Sequence, residues 1–340
     1  MPDARFLLVR LGSLGDVIHA LPAASALRDA FPGARIDWLV EPQWRRLLEG
    51  NPDLTEIISL EKKSAAGLVT TIRKLRAANY TCAVDFQGLY KSALPAFASG
   101  APRRIGFPST YAREGFVSFL YTDRINPRGA HKVDHNLTLA EAAGADARPS
   151  SPRFPLTPRP EDEKQVTQEL ARNNIADFYV LNPGGGWRSK CWPPERFGEL
   201  HHRLAVQHGW RAVISFGPGE EKLAQELISA AGSRPPIAIP LGLGPLMALL
   251  RRAKFVVSAD TGPVHLASAL GTPVVGLYGP TDPARNGPYA GPNQIQSIVI
   301  RNPGKSETTY RRGASYSSPM LSITVDQVAD AVARLVSAKT

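Results

Sequence analysis

The chain has 340 residues, and at ~150 residues per domain that sets an expectation of two domains. With 43% hydrophobic and 21% charged residues the composition is ordinary and globular, which excludes a disordered or collagen-like chain. Forty basic against thirty acidic residues leave a net charge of +10, which points to an acidic partner: nucleic acid, an anionic membrane surface or an acidic substrate.

Phe6-Leu7-Leu8-Val9 is a candidate buried strand, too short for a signal-peptide core. A glycine-bearing loop, Leu11 to Gly15, follows it. Val17, Leu21, Ala24 and Leu27 then recur at helical spacing. Ile36 to Val40 is a second strand. Cys82 to Phe86 is another, after the basic helix-like stretch Ile72 to Ala78. The segment between Asp146 and Asp162 carries five prolines and no apolar periodicity, so it reads as a linker or crossover. Alternation then restarts. Phe178 to Leu181 leads into Asn182-Pro183-Gly184-Gly185-Gly186, and Ala212 to Phe216 into Gly217-Pro218-Gly219. Phe255 to Ser258 leads into Asp260-Thr261-Gly262, and Val274 to Tyr278 into Gly279-Pro280-Thr281. Val325 to Val336 reads as a closing amphipathic helix. Such alternation predicts mostly parallel sheets covered by helices on both faces, with ligands outside the carboxyl ends of the strands. Two similar α/β halves facing each other are expected to form a central cleft.

Cys82 and Cys191 are the only cysteines, which excludes a disulfide scaffold and a zinc finger. No uncharged apolar run approaches the ~18 residues of a membrane span. The expected location is therefore the cytoplasm, with any membrane contact peripheral.

Three stretches carry candidate chemistry. Gly12-Ser13-Leu14-Gly15-Asp16 joins a strand to a helix without the full G-x-G-x-x-G spacing, so it does not read as a dinucleotide fingerprint. Asp16 has two readings, a helix cap or a general base. Gly184 to Lys190 can present backbone N–H groups as an anion nest, with Arg188 and Lys190 adding charge, or can be a plain surface turn. It is not a Walker A loop. Cys191 beside Lys190 has no visible partner base and reads as inert. Asp260 to Gly271 runs from a strand into a helix whose start suits a phosphate; capping and a core imidazole are the plain readings of Asp260, Thr261 and His265. Asp-Thr-Gly also occurs in aspartic proteases, but those need a second such carboxylate, and none is present.

Charge is uneven as well. From Glu61 to Lys132 there are twelve Lys/Arg against four Asp/Glu, a local excess of +8. Clustering of this kind favours a bound polyanion, yet no nucleic-acid-binding motif accompanies it.

Together these residues resemble the bacterial lipopolysaccharide heptosyltransferases of glycosyltransferase family 9. The resemblance runs from Leu8 to about Val336. It is carried by the Gly12 to His19 run, Asp85 to Ala93, Arg113-Glu114, Lys190-Cys191-Trp192-Pro193, Asp260 to Gly271 and Tyr278 to Pro283. It implies an α/β GT-B fold of two Rossmann-like, doubly wound domains facing a cleft. The expected division is an acceptor domain over 1–150, a linker over 151–165, a nucleotide-sugar domain over 166–322, and a C-terminal helix over 323–340 returning towards the first domain.

The resemblance further implies an inverting transfer of heptose from ADP-heptose to the acidic Kdo-lipid A acceptor, with no metal and no cofactor. Asp16 falls on the family's catalytic base. Donor contacts fall on Gly185, Gly186, Lys190, Glu221, Leu241, Asp260, Thr261, Gly262 and His265, with Glu220 competing with Glu221 for the ribose. Weaker expectations for the acceptor fall on Ser13, Gly15, Lys62, Lys63, Gln87, Lys91, Arg104 and Arg113. The implied partners are ADP-heptose, the acceptor and the cytoplasmic face of the inner membrane; a monomer without nucleic acid is expected. The competing readings are a family member with another nucleotide sugar or acceptor, and a non-catalytic binder of anionic glycolipid or nucleic acid.

Overall fold

Among the described residues, two six-stranded, wholly parallel sheets organise the fold. The computed structural model describes residues 4–61, 64–146, 152–232, 234–289, 297–302, 308–309 and 313–337. Contacts divide the chain into two units, Met1–Thr157 and Pro158–Thr340.

The first unit holds β1 (Arg5–Val9), β2 (Arg35–Val40), β3 (Glu56–Ser59), β4 (Cys82–Asp85), β5 (Arg103–Gly106) and β6 (Asp123–Arg124), in the order β3-β2-β1-β4-β5-β6. Its helices are α1 (Leu14–Ala30), α2 (Arg45–Leu48), α3 (Ala65–Ala77), α4 (Tyr90–Ala98) and α5 (Lys132–Ala142). The central strand β1 is apolar at every position after Arg5 because helices cover both faces of the sheet. Leu7, Val9, Leu39, Leu75, Tyr80 and Ala83 meet in its core. Helix α1 packs on α5 and is buried along most of its length.

The second unit holds β7 (Phe178–Asn182), β8 (Arg211–Ile214), β9 (Ile237–Ala238), β10 (Val256–Ala259), β11 (Val274–Tyr278) and β12 (Ser297–Arg301), in the order β12-β11-β10-β7-β8-β9. Around it lie α6 (Pro160–Arg172), α7 (Pro194–His208), α8 (Glu221–Ala230), α9 (Leu243–Arg252), α10 (Gly262–Ala269), α11 (Pro283–Asn286), α12 (Ser318–Ser322) and α13 (Val325–Ser337). Trp192, Phe197, Leu200, Phe255, Val257 and Leu277 are buried together there.

Each sheet reverses its winding once, between β1 and β4 in the first and between β7 and β10 in the second. Loops leaving the carboxyl ends of strands at such a reversal diverge and leave a crevice for ligand. The loops in question are 10–13 and 86–89 in the first unit, and 183–187 and 260–261 in the second.

Two expectations change. The proline-rich segment does not extend as a linker to residue 165, because Pro160 opens α6 at its first helical position, where a missing N–H costs nothing. The C-terminal helix, set apart from the nucleotide-sugar domain in the expected division, packs in the core of the second unit. Its Val325, Val328, Val332 and Leu335 join the core formed by Phe197 and Leu277. Among the described residues no helix is long and apolar enough to cross a membrane.

Candidate active site

The loop after β1 in the first unit is held tightly. A Cβ on Gly12 would stand 2.5 Å from the Trp44 indole nitrogen, so only glycine fits there. Gln87, from the loop after β4, accepts the Leu11 N–H at 2.9 Å through Oε1, tying the two switch-point loops together. Ser13 caps α1, and Asp16 sits three positions on. Asp16 Oδ2 accepts from the Ser13 Oγ at 3.0 Å and, more loosely, from its N–H at 3.3 Å. One carboxylate oxygen of Asp16 thus serves the capping box at the start of α1, while the other faces two cations.

Those cations are Arg10 and Lys132, with Arg10 Nη2 and Lys132 Nζ each 2.7 Å from Asp16 Oδ1. Arg10 leaves the end of β1 and also donates to the Phe86 carbonyl. Lys132 is the first residue of α5. Burial works against the charged form of Asp16, but Arg10 and Lys132, with His19 one turn along the helix, outweigh it and hold the carboxyl well below the usual range. Asp16 is thus ionised at neutral pH and, in this arrangement, weakly basic.

Asp85, at the end of β4, supports the neighbouring loop. It accepts from Tyr121 Oη at 2.7 Å, Ser92 Oγ at 2.8 Å and the Gln87 N–H at 2.8 Å. Burial pushes its pKa up against those hydrogen bonds.

The corresponding place in the second unit is built around Asp260. It follows β10 and is buried with Lys190 and His265. Lys190 Nζ meets Asp260 Oδ2 at 2.5 Å and the Asp260 carbonyl at 3.2 Å, and lies 4.5 Å from the centre of the Trp187 ring. His265 Nε2 stands 3.3 Å from Oδ1, and Asn286 Nδ2 donates to both oxygens at 3.0 and 3.1 Å. Burial raises the Asp260 pKa, yet His265 and Lys190 together hold it below the usual range. Thr261, which bonds Asn182 Oδ1 at 3.2 Å, immediately precedes α10. The first-turn N–H groups of Thr261, Gly262 and Val264 have no intrahelical acceptor, which suits an anion.

The glycine run lies just before Lys190 in sequence, and its first two glycines are close-packed. A Cβ on Gly184 would collide with the Glu220 carboxylate at 2.2 Å, and one on Gly185 with Cys191 Sγ at 2.6 Å. Gly186 takes a positive φ of 71°. Burial pushes the Cys191 thiol up to about 11, so it is an inert thiol at neutral pH.

The model for glycosyltransferase family 9 (heptosyltransferase) matches residues 69–313. A lipopolysaccharide heptosyltransferase 1 of Pseudomonas aeruginosa is 31% identical over 298 residues, covering 84% of this chain and 81% of that one. The chain belongs to glycosyltransferase family 9. It is accordingly an enzyme, a glycosyltransferase. A family 9 glycosyltransferase from Veillonella parvula shares the fold at a TM-score of 0.83 and 23% identity, covering 98% of this chain and 97% of that one. An Escherichia coli heptosyltransferase solved with ADP superposes at a TM-score of 0.76 and 26% identity, over 97% and 99% of the two chains. The family's GT-B architecture agrees with the two doubly wound parallel sheets described above.

Within this family 9 enzyme the donor candidates expected from sequence fall in four places of the second unit. Lys190, Asp260, Thr261, Gly262 and His265 come together at the β10–α10 junction. Gly185 and Gly186 lie on the loop from β7. Leu241 is half-buried just before α9. Glu221 is exposed at the first position of α8, with Oε1 on the Gly219 N–H. Glu220, its competitor, lies against Gly184 and accepts the Gly217 N–H at 2.8 Å.

The acceptor candidates are more dispersed. Ser13 and Gly15 lie at the start of α1 beside Asp16. Gln87 is buried and braces the loop, and Lys91 pairs with Glu41 at 3.1 Å. Arg104 donates through Nε to the Leu120 carbonyl and through Nη1 to that of Ala101, both at 2.8 Å. Arg113 is exposed. Lys62 and Lys63 lie outside the described residues.

Four residues went unassigned in the sequence reading: Arg10, Lys132, Asn182 and Asn286. Each is chosen by a partner far along the chain, as Lys132 is by Asp16 and Asn286 by Asp260. Only Asn182 and Arg10 carried a local signal, adjacency to a strand end before a glycine loop.

Proposed function

We propose that this family 9 glycosyltransferase is an inverting, metal-independent heptosyltransferase of lipopolysaccharide inner-core synthesis. Its donor is ADP-heptose and its acceptor the Kdo region of lipid A. In the reaction an acceptor hydroxyl oxygen attacks the anomeric carbon from the face opposite the diphosphate. The bond from that carbon to the phosphate oxygen breaks, and its electron pair leaves with ADP. Asp16 takes the hydroxyl proton, help typically worth ~10²–10⁴-fold. Lys190 and the first-turn N–H groups of α10 stabilise the charge growing on the departing diphosphate. Glu220, rather than Glu221, reaches the ribose, and Leu241 packs on the adenine.

The observation that carries this reading is the Lys190–Asp260 pair at the N-terminus of α10. It fixes an ammonium and a row of free N–H groups at a switch point, an arrangement suited to a diphosphate. One neighbour, an Escherichia coli heptosyltransferase solved both with ADP and with a 2-deoxy-2-fluoro analogue of ADP-heptose, supports the donor class. The basic excess of the first unit, with Arg10 and Lys132 beside Asp16, supports an acidic acceptor. The proposal also places the enzyme at the cytoplasmic face of the inner membrane as a peripheral monomer.

The test is ADP release with purified acceptor and a panel of nucleotide sugars, with and without a chelator. ADP-heptose should be the preferred donor, and chelation should leave the rate unchanged. Preference for another nucleotide sugar would assign a different donor. Loss of activity on chelation, restored by a divalent cation, would overturn the metal-free mechanism.

A further inference from the structure

The first unit exposes large apolar side chains on two rigid, adjoining elements. Helix α4 turns Ser92, Ala93, Pro95 and Ala96 inward. Tyr90, Leu94 and Phe97, spaced by four and three residues, form its opposite stripe and are exposed. Beside it a 3-10 turn over Gly115–Leu120 buries Val117 and Ser118. That turn leaves Phe116 75% and Phe119 73% exposed, with ring centroids 6.4 Å apart. These rings do not sit on a loose loop. Ala93, Val117 and Tyr121 form a small core between the two elements, and Tyr121 and Ser92 are both bonded to Asp85.

Cations are planted on this surface. The Arg104 guanidinium lies 5.3 Å from the centre of Phe97, and that of Arg124 lies 5.6 Å from the centre of Phe119. Backbone carbonyls hold both arginines there: Leu120 and Ala101 for Arg104, and Ser118 for Arg124. Arg113 is exposed on the adjoining loop, and Arg76 of α3 donates to the Ala98 carbonyl at the end of α4. Nearby carboxylates are engaged, Glu114 on the Tyr90 N–H and Asp123 on Arg103.

We infer that the face formed by α4 and the 115–120 turn docks on an anionic phospholipid bilayer, with Phe116 and Phe119 entering the interface and the arginines meeting lipid phosphates. Aromatic rings favour the boundary between headgroups and acyl chains, and juxtaposed basic residues are drawn to anionic headgroups. An arginine stacked on a ring can keep its charge at the headgroup level while the ring goes deeper. A two-fold contact with a second copy would set this cationic patch against the same patch, so charge favours the bilayer. The inference takes up the peripheral association proposed above and assigns it a surface.

The test is flotation of the full chain with vesicles lacking any acceptor. Phosphatidylethanolamine with phosphatidylglycerol is compared with phosphatidylcholine alone, and turnover is measured separately on a deacylated, soluble acceptor. The wild-type chain should bind the anionic vesicles and be released by salt. The Phe116→Ser/Phe119→Ser double variant should bind about tenfold more weakly or worse, with unchanged melting temperature and unchanged turnover on the soluble acceptor. Phe116→Trp/Phe119→Trp should retain binding. Undiminished vesicle binding by the Ser variant would overturn the inference. So would a wild-type dimer that the Ser variant dissolves without any vesicle binding. Absence of turnover by the wild-type chain bears on the proposed reaction alone, because the vesicles contain neither substrate, whereas turnover lost in the Ser variant would assign the two rings to the acceptor and overturn the inference.

Discussion

Lys132 Nζ and Asp16 Oδ1 lie 2.7 Å apart, although 116 residues separate them in the chain. With Arg10 on the same oxygen, the pair leaves the proposed base ionised but weakly basic. An efficient general base titrates nearer the working pH, so the acceptor's own acidic groups are expected to draw Lys132 away as they bind. Removing Lys132 should raise the Asp16 pKa. In Lys132→Met the acid limb of the kcat/KM profile should move to higher pH, and the acceptor KM should rise while the donor KM holds. A profile unmoved by the substitution would mean that Lys132 does not tune the reacting group.

The same cage makes a stability prediction. The Asp16 carboxyl has a lower pKa in the folded chain than its unfolded value of about 3.9. Its contribution is therefore complete above that value and fades as pH falls through the folded pKa. Asp16→Ala should lower stability at neutral pH by about 1–3 kcal/mol, because Arg10 and Lys132 lose their counter-charge. The difference from wild type should shrink in strong acid. Urea titrations at neutral and acid pH read this, and a constant difference would contradict it.

A double substitution separates the structural role of Lys190 from the one proposed for it in the reaction. Its ammonium neutralises the buried Asp260, and in the proposed reaction it also meets the diphosphate. Lys190→Ala should cost roughly 2–4 kcal/mol of stability through the uncompensated carboxylate. It should also lower kcat/KM for the donor by about a hundredfold. The double variant Lys190→Met/Asp260→Asn should recover much of the stability but not the rate. Recovery of both would reduce Lys190 to a structural role.

Glu220 and Glu221 are adjacent in sequence but unlike in the fold. Glu220 sits against Gly184 of the glycine loop, whereas Glu221 starts α8 in solvent. Glu220→Gln should raise the KM for the ADP-sugar several-fold, and Glu221→Gln should leave it within about twofold. The opposite pattern would return the ribose to Glu221.

What could be read from the sequence follows from how local its causes are. The β1–α1 and β10–α10 junctions were legible because an apolar run, a small-residue turn and a helical period occur within about twenty residues. Strands β3, β5, β6, β9 and β12 were not. Two of them are two residues long, and β5 opens on Arg103 and Arg104, whose partners are supplied from elsewhere in the fold. Arg10, Lys132 and Asn286 were missed for the same reason: a charge or amide acquires its role only when the fold brings its partner to it. Gln87 and Arg104, which the resemblance implied for the acceptor, also have structural partners that no sequence pattern announces: Gln87 Oε1 takes the Leu11 N–H, and Arg104 donates to the Leu120 and Ala101 carbonyls.

The proposed chemistry stands most directly on one paired measurement with Asp16→Asn: calorimetric binding of ADP-heptose alongside single-turnover transfer. The variant should bind the donor nearly as wild type does, while transfer slows by about a hundredfold or more at every pH. Transfer at the wild-type rate with normal donor binding would contradict the role given to this carboxylate.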